Sequence, residues 1–323
     1  MLTTMSSPQD SSERRAGQGD SADEIRVAEN WKLFVAKDYP RLWHSLWCRW
    51  KPDGSPVTSF HAERIFKPDG EGGVLQSNIY HYDDERGIVS EGPLCGPWHL
   101  TATCGTLDGL VHPARPGMVT WNLPGGDLCW ATKQNAVEDG KVFAAACELF
   151  VHHDDHLRMS VGIVYGGASG SGPVDENDRF CQTLALVRED ARGPWPSQHW
   201  SASREACAIE HNGVQAIFEY HGVSPDTTGS GHAVFAGLAR SAVEDIAVSQ
   251  TRWGRCGPGD VILLCSDRNV AIVAPRTYCG AVSCSAAWWP IANVLYIIEM
   301  DWDEHGALKA LRRMAFPLMQ NAR

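Results

Sequence analysis

Apolar and polar positions alternate in short runs along most of the chain, and one early segment repeats at helical spacing instead. In "ADEIRVAENWKLFVAKDYP", Ile25, Val27, Ala28, Trp31, Leu33 and Phe34 recur near one helical face, and Pro40 closes the run. This predicts a short helix that serves as a lid or plug. From Leu42 to Glu189 the turn signals "KPDGS", "KPDGEGG", "DDERG", "LPGGD", "VEDGK", "HHDDH" and "GGASGSGPVDEND" cut the chain into short strands. The prediction is a meander of antiparallel strands. In "LRMSVGIVY", Leu157, Met159, Val161, Ile163 and Tyr165 share one face while Arg158, Ser160 and Gly162 take the other, so one face of that strand is buried.

The segment "EDARGPWPSQHW" combines two prolines, a glycine and charges between strand-like regions, which marks a boundary. The second half again reads as strands. It ends in "VLYIIEMDWDEHGALKALRRMAF", a strand, a turn around "DEHG" and another strand; "GALKALRRM" could be helical by propensity, and the hairpin that ends the first half argues for strand. The expected organisation is a disordered tail over 1–24, a first barrel over 25–190, a linker over 191–197 and a second barrel over 198–323. A closed meander of about eight strands encloses room for one small ligand or for its own side chains.

Composition narrows the function classes. A chain of 323 residues, 43% hydrophobic and 21% charged, can bury one large core or two ordinary ones. Its net charge of −11, with no Lys/Arg-rich patch, disfavours nucleic acid as a partner. Eleven cysteines, none in a C-x-x-C pair and several within apolar runs (Cys147, Cys181, Cys265), read as free thiols of a reduced, intracellular protein in cytoplasm or plastid. The first 24 residues fit neither a secretory nor a typical organellar signal. No apolar run reaches the roughly 18 residues of a membrane span.

A set of motifs carries a family likeness. "NWKLF", "LWHSLWCRWKPDGSPVTSF", "RIF", "SNIYHYD", "LVHPARPGMVTWNLPGGDLCWATK", "ACELFVHHDDHLRMSVGIVY" and "LALVRE" resemble an uncharacterised two-domain calycin family, lipocalin-like barrels of photosynthetic microorganisms. "NVAIVAPRTYCGAVSCSAAWWP" and "IIEMDWDEHGALKALRRMAF" resemble its second barrel, so the likeness spans roughly residues 28–318. The helix-then-tryptophan entry is also similar to the Gly-x-Trp opening of lipocalins, although Arg41-Leu42-Trp43 and Ser45-Leu46-Trp47 lack the glycine. The resemblance implies an all-β fold of two antiparallel lipocalin-like β-barrels with a short N-terminal helix, and a hydrophobic-ligand role. It supplies no reaction, no catalytic residue and no cofactor.

The candidate ligand-binding residues follow from side-chain parity. Trp43 and Trp47, four apart, share a face, either lining a cavity or plugging the closed end of the barrel. Trp50 has the opposite parity and is expected outside the barrel or against the other half. Trp98, Trp121 and Trp130 are further wall candidates among thirteen tryptophans, and Asn78 in "SNIYHYD" belongs to the same ligand-binding set. Arg64 points where Phe60, Ala62 and Phe66 point, and Glu148 shares a face with Ala144, Ala146 and Phe150. If "HHDDH" is the loop and Val151 pairs with Leu157, Glu148 lies opposite Ser160 and diagonal to Arg158, within reach of an ion pair. That pair is either interior or an exposed surface pair. Arg64 or Arg158 would meet a ligand carboxylate, since guanidinium suits that geometry.

No metal site is expected. Adjacent histidines on a tight loop point apart, so His152, His153 and His156 with Asp154 and Asp155 read as a polar hairpin tip. "GGASGSG" lacks the lysine and helix of a phosphate loop. His61, His81, His99 and His112 are scattered, with no nucleophile in motif context. The ligand expected is a small apolar or amphipathic molecule: a pigment, tetrapyrrole, isoprenoid or fatty acid derivative. The alternatives are a cofactor-free isomerase, cyclase or chromophore lyase acting on such a ligand, and an assembly partner whose barrels are plugged by their own side chains.

Overall fold

The structure, a computed structural model, describes residues 22–38, 41–106, 109–123, 127–132, 137–138, 141–142, 146–166, 180–193, 203–235, 241–265, 269–278, 281–291, 293–303 and 308–318. Residues 1–21 of the expected tail and 194–197 of the expected linker lie outside them. The fold is all-β with an N-terminal helix, as the alternation and the turn signals predict.

Helix α1 (Ala22–Asp38) is followed by β1 (Arg41–Trp50), β2 (Pro56–Pro68), β3 (Val74–His81), β4 (Ile88–Val89), β5 (Trp98–Leu100), β6 (Gly105–Thr106), β7 (Gly109–His112), β8 (Arg115–Asn122) and β9 (Leu128–Thr132). A small hairpin, β10 (Val137–Glu138) with β11 (Lys141–Val142), precedes β12 (Ala146–His152), β13 (Leu157–Gly166) and β14 (Phe180–Asp190). All but that hairpin join one antiparallel sheet, in the order β4-β3-β2-β1-β14-β13-β12-β9-β8-β7-β6 with β5 on β3. The sheet curls until its ends meet. His112 of β7 lies 5.1 Å from Trp98 of β5 and 5.5 Å from Trp130 of β9, ring to ring.

The second half holds β15 (Ala206–Ala208), α2 (Val214–Tyr220), β16 (Thr228–Phe235), β17 (Ser241–Ala247), β18 (Asp260–Cys265), β19 (Val270–Pro275), β20 (Val282–Ile291), β21 (Val294–Trp302) and β22 (Leu308–Pro317). Its sheet runs β15-β18-β19-β20-β21-β22-β16-β17. The segment at 308–317 is strand, as the hairpin analogy predicts. Helix α2 is not foreseen by the strand reading, although Val214, Ile217 and Phe218 stand at helical spacing and Gly222, at φ 74, follows the helix end. Phe218 packs against the second sheet, edge-on to Trp289 at 5.4 Å and 5.5 Å from Trp253.

The two sheets share a core. One face of the first sheet, including Leu46, Cys48, Trp50, Trp121, Leu149 and Val161, packs in one apolar cluster with Leu263, Ile272, Ala286, Ile298 and Met300 of the second. Trp50 sits here, as its parity predicts, and its Nε1 donates to the Arg204 carbonyl at 3.0 Å. Polar ties cross the same junction: Tyr165 Oη donates to the Pro275 carbonyl, and Arg313 Nε lies 3.0 Å from Asp127 Oδ2. The opposite face of the first sheet lines its own barrel. Among the described residues no helix is long and apolar enough to cross a membrane.

Candidate functional site

The inward face of the first sheet divides along its length into a packed end, a charged belt and an aromatic cup whose side chains are partly exposed. At the packed end α1 sets Phe34 against Phe66, with ring centroids 6.2 Å apart, and these join Trp43, Val74, Trp98, Leu110, Trp130 and Phe150 in one buried cluster. Three of the candidate tryptophans, Trp43, Trp98 and Trp130, are therefore packed against one another's neighbours under the helix. Trp43 has no exposed surface.

The belt lies beside Trp43. Glu189 of β14, fully buried, accepts from Arg158 Nε at 2.5 Å on Oε2 and from Ser45 Oγ at 3.1 Å on Oε1, while Arg64 Nε stands 3.3 Å from Oε1. Arg64 Nη2 also donates to Glu148 Oε1 at 3.1 Å, where Ser160 Oγ donates at 2.6 Å. The guanidiniums are sandwiched by aromatic faces: Arg158 Cζ is 4.1 Å from the Trp43 ring centroid, and both arginines lie 5.0 Å from that of Phe150. Such contacts add about 2 kcal/mol each when desolvated. Burial pushes the Glu189 carboxyl up, but Arg158, Arg64 and the Ser45 hydroxyl outweigh it and hold the group below the usual carboxylate range. Burial likewise opposes the Arg64 charge, and Glu189 and Glu148 more than offset it, raising that group.

These contacts correct the register read from sequence. Val151 pairs with Met159, not Leu157, and Glu148 stands opposite Gly162, not Ser160. The turn is the cause. Asp154 Oδ1 accepts from the backbone N–H of His156 and Leu157, and Asp127 Oδ1 accepts from that of His152 at 2.6 Å, so β12 extends through His152 and the loop moves one residue on. Arg158 accordingly meets Glu189, which the sequence reading missed, and Glu148 meets Arg64. The signal was available: Ala185, Val187 and Glu189 alternate in "LALVRE" as Arg64 does among its aromatics. His152 and His153 do point apart, toward Asp127 and toward Tyr296. Among the described residues no cluster of side chains could hold a metal.

The cup lies at the other end of β1, where Trp47 and Arg49 are partly exposed. Trp47 stacks on Phe60 at 5.7 Å with 11° between the rings, and Phe60 touches Tyr80 at 5.7 Å and Tyr82 at 4.7 Å. Facing positions on β12, β13 and β14 are small: Ala146, Gly162 and Ala185, with Gly162 paired to both Glu148 and Ala185. A Cβ at Gly162 would stand 3.3 Å from that of Ala185, so glycine keeps these strands flush. An aromatic wall thus faces a low wall of small residues. Solvent reaches this level: the Glu148 side chain is 18% exposed whereas that of Glu189 is 0%. Asn78 Nδ2 donates to Tyr80 Oη at 3.1 Å and to the Leu94 carbonyl, which leaves its Oδ1 buried without a protein partner.

Of the nine candidates, then, Trp47, Arg64, Asn78 and Glu148 surround the cup and its floor, Arg158 lies in the sealed belt, and Trp43, Trp98 and Trp130 pack at the helix end. Trp121 is not interior. It has the opposite parity on β8, pairing with Cys129, and packs between the two sheets.

Residues 27–171 match the family model described as domain of unknown function (DUF3598), N-terminal. The resemblance to an uncharacterised family is borne out. A DUF3598 protein of unknown function from Nostoc punctiforme superposes with a TM-score of 0.53 at 10% identity, over 90% of this chain and 99% of that one, which shows the shared fold. An S-type phycobiliprotein lyase, CPES, from Guillardia theta matches 53% of this chain and 98% of its own at 14% identity, with a TM-score of 0.32. No curated protein matches.

Proposed function

We propose that the first barrel binds a flat apolar or amphipathic small molecule, of the pigment, tetrapyrrole, isoprenoid or fatty acid class, in the cup above the charged belt. The observation that carries this reading is the pairing of the Trp47–Phe60–Tyr80–Tyr82 wall with the small residues Ala146, Gly162 and Ala185. Rigid aromatic surface facing a low wall suits a planar ligand, and a few converging polar atoms orient it. Glu148 and Asn78 Oδ1 are acceptors, suited to a ligand N–H or O–H. Arg158 takes no part, since its partner is Glu189 of the chain itself.

In the second half Phe218 packs against both Trp253 and Trp289, and those contacts support the plugged reading there. Titration with a planar chromophore tests the proposal: Trp emission should be quenched saturably, and Trp47→Ala should weaken binding about tenfold or more. Emission unchanged by every member of a panel of tetrapyrroles, polyenes and fatty acids, with the protein folded, would exclude the cup as a ligand site.

A further inference from the structure

From the belt to the mouth, the described residues place three guanidiniums inside the first barrel, Arg49, Arg64 and Arg158, against two carboxylates, Glu148 and Glu189. The carboxylates are committed below. Glu189 is held by Arg158 and Arg64, and Glu148 by Arg64. Among the described residues Arg49, inward-facing on β1 at the lip of the cup, meets no carboxylate; its Cζ lies 5.4 Å from the Trp47 centroid and 5.6 Å from that of Phe60. The other cations near the mouth are paired on the solvent side, Arg86 with Asp84 and Arg204 with Asp83. The strands beside Arg49 present Thr58 and Ala185 in register, neither of them charged.

We infer that the cup's ligand is a planar organic anion, whose flat body lies against Trp47 and whose carboxylate or equivalent acid group is read by Arg49 at the mouth. The inference rests on the ligand-site reading above and adds the charge and the orientation. A half-buried guanidinium already lying on aromatic faces has lost part of its hydration and much of its rotamer freedom, so an incoming acid group pays less to order it. An anion there also balances the positive charge that Arg49 brings to the mouth. The acid end points outward, because Arg64 and Arg158 deeper in are neutralised.

Two dyes that differ in one acid group make the test: 8-anilinonaphthalene-1-sulfonate and the uncharged N-phenyl-1-naphthylamine, titrated by fluorescence against the full chain. Arg49→Gln should weaken the sulfonate about tenfold and leave the neutral dye within about twofold, and Arg49→Lys should restore part of the loss. In the unsubstituted protein, raising salt should weaken the sulfonate and not the neutral dye, a readout that needs no variant. Trp47→Ala should weaken both. If Arg49→Gln weakens the two dyes equally, or neither salt nor the variant separates them while Trp47→Ala still affects both, the anion inference fails and the cup stands. If Trp47→Ala changes neither dye, the cup reading fails and this inference with it.

Discussion

Arg158 Nε donates to Glu189 Oε2 at 2.5 Å inside the first barrel, where neither side chain is exposed beyond 1%. Removing either partner strands the other charge in a dry interior, which costs about 3–5 kcal/mol. Glu189→Gln leaves both Arg158 and Arg64 short of a carboxylate, and Arg158→Met leaves Glu189 leaning on Arg64 alone. Both variants should therefore lower the denaturant midpoint strongly, and the double variant should recover part of the loss. Glu148→Gln should cost less, because its carboxylate reaches solvent. Equal, small effects from all of these changes would place the network's charges in water.

Two buried glutamates should respond to pH in opposite senses. The Glu189 carboxyl is depressed in the folded state, so it stabilises the fold above the unfolded value of about 4.3 and loses that contribution as pH falls through its own lower value. Glu299, on β21 of the second sheet, is raised: burial outweighs the Arg252 backbone N–H and the Arg312 guanidinium that face it. Below about 4.3 it is protonated in both states, and stability declines as pH rises from there through the raised folded value. Unfolding midpoints across pH 3.5 to 8 check this. At neutral pH, Glu299→Gln should stabilise and Glu189→Gln destabilise, and both differences from the parent should shrink on acidification. A destabilised Glu299→Gln at neutral pH would mean that its hydrogen bonds outweigh its burial.

The shared core between the sheets bears on whether the halves can live apart. Trp50, Trp121, Leu149 and Val161 of the first sheet are buried only because Leu263, Ile272, Ala286 and Ile298 of the second cover them. Residues 22–193 expressed alone would present this face to water, a contiguous patch of the kind that drives association. The expected outcome is an insoluble or self-associated product, and co-expression with residues 203–318 should restore a soluble pair. A monodisperse monomer of the first half alone would show that the face tolerates exposure.

Side-chain parity made much of this arrangement readable before the structure. Arg64 among Phe60 and Phe66, Trp43 with Trp47, and Trp50 on the other face all follow from a period of two. Parity does not say how far along the barrel a residue sits. Trp43 and Trp47 are therefore equivalent by parity, yet one is sealed beneath α1 and the other walls the cup. Register depends on turn chemistry, and the two-residue slip of Glu148 past Ser160 goes with the Asp154 turn and with Asp127, a partner 25 residues upstream of His152 that no local pattern announces. Nothing in the sequence marks Arg49, because its value as a site residue lies in lacking a carboxylate among the described residues, which appears only when the other guanidiniums have found theirs.

Trp121 and Trp47 separate stability from binding. Trp121, 5% exposed between the sheets and making no hydrogen bond through Nε1, contributes through burial alone, so Trp121→Ala should cost about 3–5 kcal/mol. Its face is turned away from the cup, and dye affinity measured below the unfolding transition should be unchanged. Trp47 is half-buried and stacks on Phe60 at the solvent end, so Trp47→Ala removes less core and should cost well under that amount. Its effect should fall on binding. Unfolding midpoints and dye titrations on the same two variants resolve the assignment, because a wall residue and a core residue move different observables. Weakened binding by Trp121→Ala in folded protein, with Trp47→Ala silent, would move the ligand from the cup to the junction of the sheets.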